Sequence, residues 1–167
     1  QGVPAGPTVD EVIAKFWSYA EAHYRRPDGG PGRELADFKL SLRPLRFLFG
    51  PSPADQFGPL KLKQIRQSMV DGYRHPRFGA QAGLSRKVVN QRVARIVRAF
   101  KWAASEELVP PAILEGLRSV AGLQKGRGNA RETEPVQPVA LDVVERTLAR
   151  LGSVVGAIVR TQLLTGC

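Results

Sequence analysis

The chain has 167 residues and a formal net charge of +10, because its 25 lysines and arginines outnumber its 15 aspartates and glutamates. This length is that of one ordinary domain, or of a small domain followed by part of another. Hydrophobic residues make up 43% of the chain, which is enough for a folded core, whereas one cysteine and two histidines exclude a disulfide scaffold and the usual zinc sites.

Two helices are predicted at the amino-terminal end. Residues 1–7 are polar, rich in proline and glycine and without an initiator Met, so we expect a disordered or cloning-derived leader there. Thr8 opens a capping box, which predicts a first helix over residues 9–24. A second helix begins near Arg33. A kink or a restart is expected in it at Pro44, whose backbone nitrogen has no hydrogen to donate.

A shorter third helix is predicted over residues 60–70. Its inward face comprises Leu62, Ile65 and Met69. Glycine and proline indicate loops on either side of it, over residues 50–59 and 71–83. Because no alternation of polar and apolar residues is long enough for a strand, the predicted fold class is all-α.

A fourth helix is predicted from its N-cap, Ser85, to about Glu107, and residues 85–105 carry six basic residues and no acidic one. The apolar face of this helix comprises Val89, Val93, Ile96, Phe100 and Ala104. At about 100° per residue, the opposite face comprises Lys87, Gln91, Arg98 and Lys101, with Arg95 on the flank. A concentrated basic stripe of this kind indicates a polyanionic partner, and the alternative is a solvated charged surface.

A short helix opened by two prolines ends an amino-terminal domain that we assign to residues 8–120. Residues 121–138 are rich in glycine, proline and basic residues and predict an interdomain linker. Two further helices are predicted over residues 141–151 and 154–164. We interpret residues 139–167 as the start of a second domain that is cut short.

Residue patterns typical of catalysis are absent from the sequence. There is no Ser–His–Asp order, no HExxH, and no glycine-rich phosphate loop after a strand. Tyr19 and Tyr24 lie at core positions of the first helix and are expected to pack rather than to react. His23 and His75 have no neighbouring Cys or His, so no metal or other cofactor is predicted. We therefore expect that this chain is not itself an enzyme.

The basic residues instead predict a DNA-binding surface on the second and fourth helices. Lysine and arginine bind phosphates, and Asn and Gln amides can read adenine edges. DNA is favoured over RNA because Trp102 is the one aromatic residue at the basic face, and Trp102 is itself expected to pack against a neighbouring element. The predicted DNA-binding residues are Arg33, Lys39, Arg43, Arg86, Lys87, Asn90, Gln91, Arg95, Arg98 and Lys101, with Arg46 as a further cation of the second helix.

Several stretches together resemble the amino-terminal half of tyrosine recombinases, the phage-type integrases. The fourth helix resembles the one that closes the family's core-binding domain, with a Ser-Arg-Lys opening at Ser85 and a Phe-Lys-Trp-Ala close at Phe100. Residues 106–111 are similar to the exit from that helix. Residues 163–167, Leu-Leu-Thr-Gly-Cys, are similar to the stretch that leads into the family's first catalytic arginine. Against the same family, residues 72–83 look like an insertion.

The resemblance, which covers about residues 8–167, implies a SAM-like four-helix core-binding bundle, a linker and the first helices of a truncated catalytic domain. It implies a parent recombinase in which a tyrosine attacks the scissile phosphate while arginines and histidines stabilise the developing charge. Those residues would lie beyond Cys167, so this chain is expected to clamp duplex DNA without cutting it. The implied partners are double-stranded DNA and other recombinase protomers, with no metal, cofactor, membrane or small-molecule substrate, in the cytoplasm at the nucleoid.

Two functions of other kinds stay open at the level of the sequence. One is a non-catalytic helical adaptor whose basic face meets an acidic protein. The other is a stand-alone helical DNA-binding regulator, which would act as a symmetric dimer on a palindrome. A steep fall of binding with salt would favour DNA over an adaptor role.

Overall fold

The computed structural model describes residues 6–166 and divides the chain into two compact units, with the boundary between Thr133 and Glu134. The first unit contains helices α1 (Val9–His23), α2 (Arg33–Phe49), α3 (Pro59–Asp71), α4 (Arg86–Ser105) and α5 (Pro111–Arg118). It also contains a 3-10 turn (Ala54–Gln56) and two short strands, β1 (Tyr73–His75) and β2 (Gly79–Gln81). The second unit contains α6 (Leu141–Leu148) and α7 (Ser153–Thr165). The chain is therefore mostly helical, and the all-α prediction is confirmed at that level.

Helix α1 begins as its sequence predicts. The Thr8 backbone amide donates to Glu11 Oε2 at 2.7 Å, and the Glu11 amide donates to the Thr8 hydroxyl at 3.3 Å, so both halves of the capping box are present. Val12, Phe16 and Ala20 are fully buried on its inner face. The predicted packing roles of Tyr19 and Tyr24 are confirmed, since both rings are partly buried against the core.

Of the kink or restart expected at Pro44, the restart does not occur, because helix α2 runs without a break from Arg33 to Phe49. Proline removes one backbone donor and crowds the preceding turn, which is why an interruption was expected. In the structure Pro44 is buried together with Leu42 and Leu45, and α2 packs against both α1 and α4. Burial of this apolar face outweighs the loss of a single hydrogen bond.

Helix α4 is the central element of the first unit, since it packs against α1, α2, α3 and α5. Its predicted apolar face is buried, except that Ala104 is only partly so, and Ala99 and Ala103 are buried as well. Phe100 stacks on Phe57 with ring centroids 4.8 Å apart. Trp102 packs as expected, with its centroid 5.3 Å from that of Tyr19.

The start of α4 differs from the prediction in one respect. Ser85 occupies the N-cap position with extended backbone angles, but its side chain makes no capping hydrogen bond and is buried. The Arg131 carbonyl instead accepts the Arg86 amide at 2.8 Å. The backbone of Arg131 thus satisfies one of the free amide donors at the start of α4, which a bound anion would otherwise accept.

Residues 71–83 were predicted to be a loop, and this is wrong, because they form an antiparallel hairpin of β1 and β2. Each strand has only three residues, too short for an alternation of polar and apolar residues to be visible in the sequence. Gly72 and Gly79 have φ angles of 83° and 68°, which residues with a side chain rarely adopt. The same glycines that indicated a loop are therefore what allows the hairpin to form.

The predicted linker spans residues 121–138, and its first part packs against the rest of the first unit. Leu123 and Ala130 pack against its core, and the Arg66 guanidinium donates to the Ala121 carbonyl at 2.6 Å. From Arg131 to Val143 every residue is exposed.

In the second unit, α6 ends three residues before the predicted Leu151, because single turns at Arg150 and Leu151 follow it. Helix α7 matches the predicted last helix to within one residue at each end. Neither helix has a buried residue. Most of the predicted leader, residues 1–5, and the last residue of the recombinase-like stretch, Cys167, lie outside the described residues.

Candidate nucleic-acid interface

The side of α4 that faces away from the core is basic, as its sequence predicts. Its residues are exposed and recur every three or four positions, which puts them on one face of the helix. This α4 outer face comprises Lys87, Gln91, Ala94, Arg98 and Lys101. Within residues 6–166, Lys87, Gln91 and Lys101 make no side-chain hydrogen bond or ion pair. Their cationic and amide groups are therefore free to meet a ligand.

Arg95, on the flank of the outer face, joins α4 to α2. Its Nη2 atom lies 2.7 Å from Asp37 Oδ2 and 3.2 Å from Glu34 Oε2, and its side chain is only 17% exposed. Arg98 Nη1 lies 2.7 Å from the other oxygen of Glu34. The hydrogen bonds from Arg95 hold the pKa of the Glu34 carboxyl below its ordinary value, and the one from Arg98 adds to this. These two arginines have a structural role whether or not they also touch DNA.

Asn90 and Arg86 hold the segment that follows α5. The Asn90 amide donates to the Leu123 carbonyl at 3.0 Å and accepts the Leu123 N–H at 2.8 Å. Arg86 Nε donates to Glu132 Oε1 at 2.6 Å. For Asn90 to read a base edge, both hydrogen bonds to Leu123 would have to break.

The predicted residues of α2 lie in different places. Arg33 is exposed at the start of the helix. Lys39 and Arg43 line an open groove of about 840 Å³ between α1, α2 and the hairpin, and none of the α4 outer-face residues lines it. The structure therefore divides the predicted site into two surfaces, one on α4 and one at this groove.

The groove, named here the basic–aromatic groove, holds side chains that sequence reasoning missed. Arg77 and Phe78 of the hairpin turn, Trp17 of α1 and Phe47 of α2 line it beside Lys39, Arg43 and Arg46. The signal in the sequence was the run of basic and aromatic residues from 73 to 78, Tyr-Arg-His-Pro-Arg-Phe, but its proline and the flanking Gly72 and Gly79 indicated only a loop.

A smaller cavity of about 180 Å³ adjoins Arg43 on the hairpin side and is lined also by Arg92 and Tyr73. Burial raises the pKa of the Tyr73 hydroxyl and lowers the pKa of the half-buried Arg92 guanidinium. Within residues 6–166, the Arg92 side chain has no hydrogen bond or ion pair. Two arginines and a hydroxyl without a lining carboxylate make this cavity suitable for an anion.

A comparison of the chain with protein-family models, with curated proteins and with solved structures finds no match. Among the described residues, no cluster of His, Cys, Asp or Glu could hold a metal ion. No helix over residues 6–166 is long and apolar enough to cross a bilayer. The functional assignment therefore depends on the residues and surfaces described above.

Proposed function

We propose that this chain is a DNA-binding part of a tyrosine recombinase and that it holds duplex DNA on the α4 outer face. The observation that carries the DNA-binding proposal is the pair of exposed, unpaired lysines at the two ends of that face. Lys87 and Lys101 lie 14 residues apart on one continuous helix, which is about 21 Å along a helix axis. Gln91 lies between them.

A major groove is about 12 Å wide and admits an α-helix, so a face about 21 Å long extends past the groove at both ends. Cations at the ends of the face would contact phosphates on either side, while the Gln91 amide would meet base edges. The carboxylates of Glu34 and Asp37 are neutralised by Arg95 and Arg98, so they do not oppose DNA. Rigidity of α4, which contacts four other helices, favours a fixed reading geometry.

The recombinase part of the proposal is supported by the resemblance of residues 85–103 and 163–167 to that family and by the order of a helical unit followed by a second one. In this proposal the first unit is the core-binding bundle, and α6 and α7 begin the catalytic domain. The chain then binds DNA and other protomers, and strand cleavage belongs to residues that follow it in the parent protein.

Duplex binding measured across a salt series tests the first part. Binding should weaken by about 0.9 log units per phosphate contact for each log unit of salt. Lys87→Ala and Lys101→Ala should each weaken binding to every duplex and reduce the slope by about one. Lys63→Ala, an exposed lysine of α3, is the matched control and should change neither. Salt-insensitive binding, or tighter binding to an acidic peptide than to DNA, would instead favour the adaptor function.

The reading frame beyond Cys167 tests the second part independently. The recombinase proposal predicts an arginine directly after Cys167, a His-x-x-Arg motif and a late tyrosine within about one further domain length. Unrelated sequence at these positions would exclude a recombinase and leave DNA binding by α4 untouched.

A further inference from the structure

The basic–aromatic groove combines cations with exposed aromatic side chains, and the α4 outer face has cations but no aromatic residue. Phe47 is 36% exposed and Phe78 is 43% exposed, although both are large apolar side chains. Single exposed rings are common, but these two lie in one concave surface. Because cations lie beside these rings, the groove suits a ligand that has both a planar apolar group and a negative charge.

The rings of the groove are held in fixed positions. Phe47 stacks on Tyr73 with centroids 5.8 Å apart, and His75 lies 4.9 Å from Phe47 and 4.7 Å from Phe78. The Arg43 guanidinium lies 4.0 Å from the centroid of Phe78. The hairpin and α2 thus form one aromatic platform, in which the His75 ring is tilted by 43° against both Phe47 and Phe78, and rings that already contact one another lower the entropic cost of binding.

The charges of the groove are mostly uncompensated. Lys39, Arg43 and Arg77 make no ion pair among the described residues, and Arg46 is paired with Asp10, the single carboxylate that lines the groove, at 3.2 Å. Arg43 also lines the smaller cavity that holds Arg92 and Tyr73. A phosphate in the smaller cavity would therefore lie next to a planar group on the Phe78 side of Arg43.

We propose that the basic–aromatic groove binds a short segment of single-stranded nucleic acid. An unpaired base stacks on the Phe47–Phe78 platform, while Arg43, Arg92 and the Tyr73 hydroxyl hold an adjacent phosphate and Arg77 meets the next one. A duplex does not fit this chemistry, because its base faces are already stacked on one another and only the edges are accessible. This site goes beyond the duplex-binding function and uses residues that the α4 outer face does not contain.

Binding of the full chain to a fluorescent oligothymidine tests the proposal, with an abasic oligonucleotide of the same length and a matched duplex as the other probes. Phe78→Ala should weaken oligothymidine binding by about tenfold or more, because loss of one stacking ring has that effect in single-strand binding proteins. Phe78→Trp should restore it. Arg77→Ala should weaken it as well, whereas Lys101→Ala should weaken duplex binding only.

Three results would overturn the proposal: equal affinity for the abasic and the normal oligonucleotide, full oligothymidine affinity in both Phe78→Ala and Arg77→Ala, or tighter binding of a polyglutamate peptide than of oligothymidine. The last result would assign the groove to an acidic protein segment. Thermal unfolding of each variant establishes that it is folded. If Phe78→Ala does not fold, the Arg77→Ala variant is used for the test instead. Each outcome is independent of duplex binding by α4, because Lys87 and Lys101 do not line the groove.

Discussion

Asn90 and Gln91 are neighbouring amides on α4 with opposite surroundings. Asn90 is half-buried and makes two hydrogen bonds to the backbone of Leu123, whereas Gln91 is exposed and has no side-chain partner within residues 6–166. Sequence periodicity predicted the exposure of Gln91 correctly. It could not show the role of Asn90, because Leu123 is 33 positions away in the chain.

Replacing Asn90 by Ala should therefore affect folding more than DNA reading. Asn90→Ala should lower the free energy of unfolding by about 1–2 kcal/mol, since two hydrogen bonds of a half-buried group are lost. Gln91→Ala, the matched control, should change stability by less than about 0.5 kcal/mol and should relax sequence preference among duplexes. Urea unfolding of both variants measures the two changes in the free energy of unfolding. Equal stabilities for Asn90→Ala and Gln91→Ala would contradict the structural role of Asn90.

Protonation of Glu34 should lower the stability of the fold in acid. The hydrogen bonds from Arg95, and then the one from Arg98, lower its folded-state pKa below the ordinary value of 4.5. The contribution of this ion pair is therefore complete above about pH 4.5 and is lost as the pH falls through the lowered folded-state pKa. Glu34→Gln should be less stable than the natural chain at neutral pH and should lose less stability below pH 4.5.

Melting temperatures measured from pH 7 to pH 3 provide the comparison for Glu34→Gln. Glu106→Gln is the matched control, because Glu106 is exposed and its carboxylate has no ion pair among the described residues. It should follow the curve of the natural chain. Parallel curves for Glu34→Gln and the natural chain would contradict a stabilising role for the pairs with Arg95 and Arg98.

Among the elements, the helices were largely predictable and the hairpin was not. The capping box at Thr8 and the apolar period of α4 are local signals, so they are visible in the sequence alone. Continuity of α2 through Pro44 depends on burial against α1 and α4, which no local signal reports. The groove was missed for the same reason, since Trp17, Phe47 and Phe78 come from three separate elements.

The hairpin depends on close backbone packing at its base. A Cβ atom added to Gly83 would clash with the Val70 carbonyl oxygen, so Gly83→Ala must shift the backbone and should cost about 1–3 kcal/mol. The Leu84 amide, which donates to the Met69 carbonyl at 2.9 Å, should then exchange its hydrogen faster. Gly58→Ala, where an added Cβ has no neighbour within 4 Å, should leave that exchange unchanged. Unaltered Leu84 exchange in Gly83→Ala would contradict this account of the hairpin base.

The net charge of the whole molecule is +10, and its cations lie on surfaces where they have different neighbouring side chains. On α4, Arg86, Arg95 and Arg98 are paired with carboxylates, and Lys87 and Lys101 are not. At the groove, aromatic rings accompany the unpaired cations. Composition predicted a polyanionic partner, but only the fold distinguishes a surface suited to a duplex from one suited to an unpaired strand.

Mapping of backbone amide chemical shifts during titration with a short duplex tests DNA binding by α4. The largest changes should fall along the α4 outer face, at Lys87, Gln91, Arg98 and Lys101, and should diminish as salt is raised. Changes confined to other surfaces, or no change at concentrations that saturate an acidic peptide, would contradict DNA binding by α4.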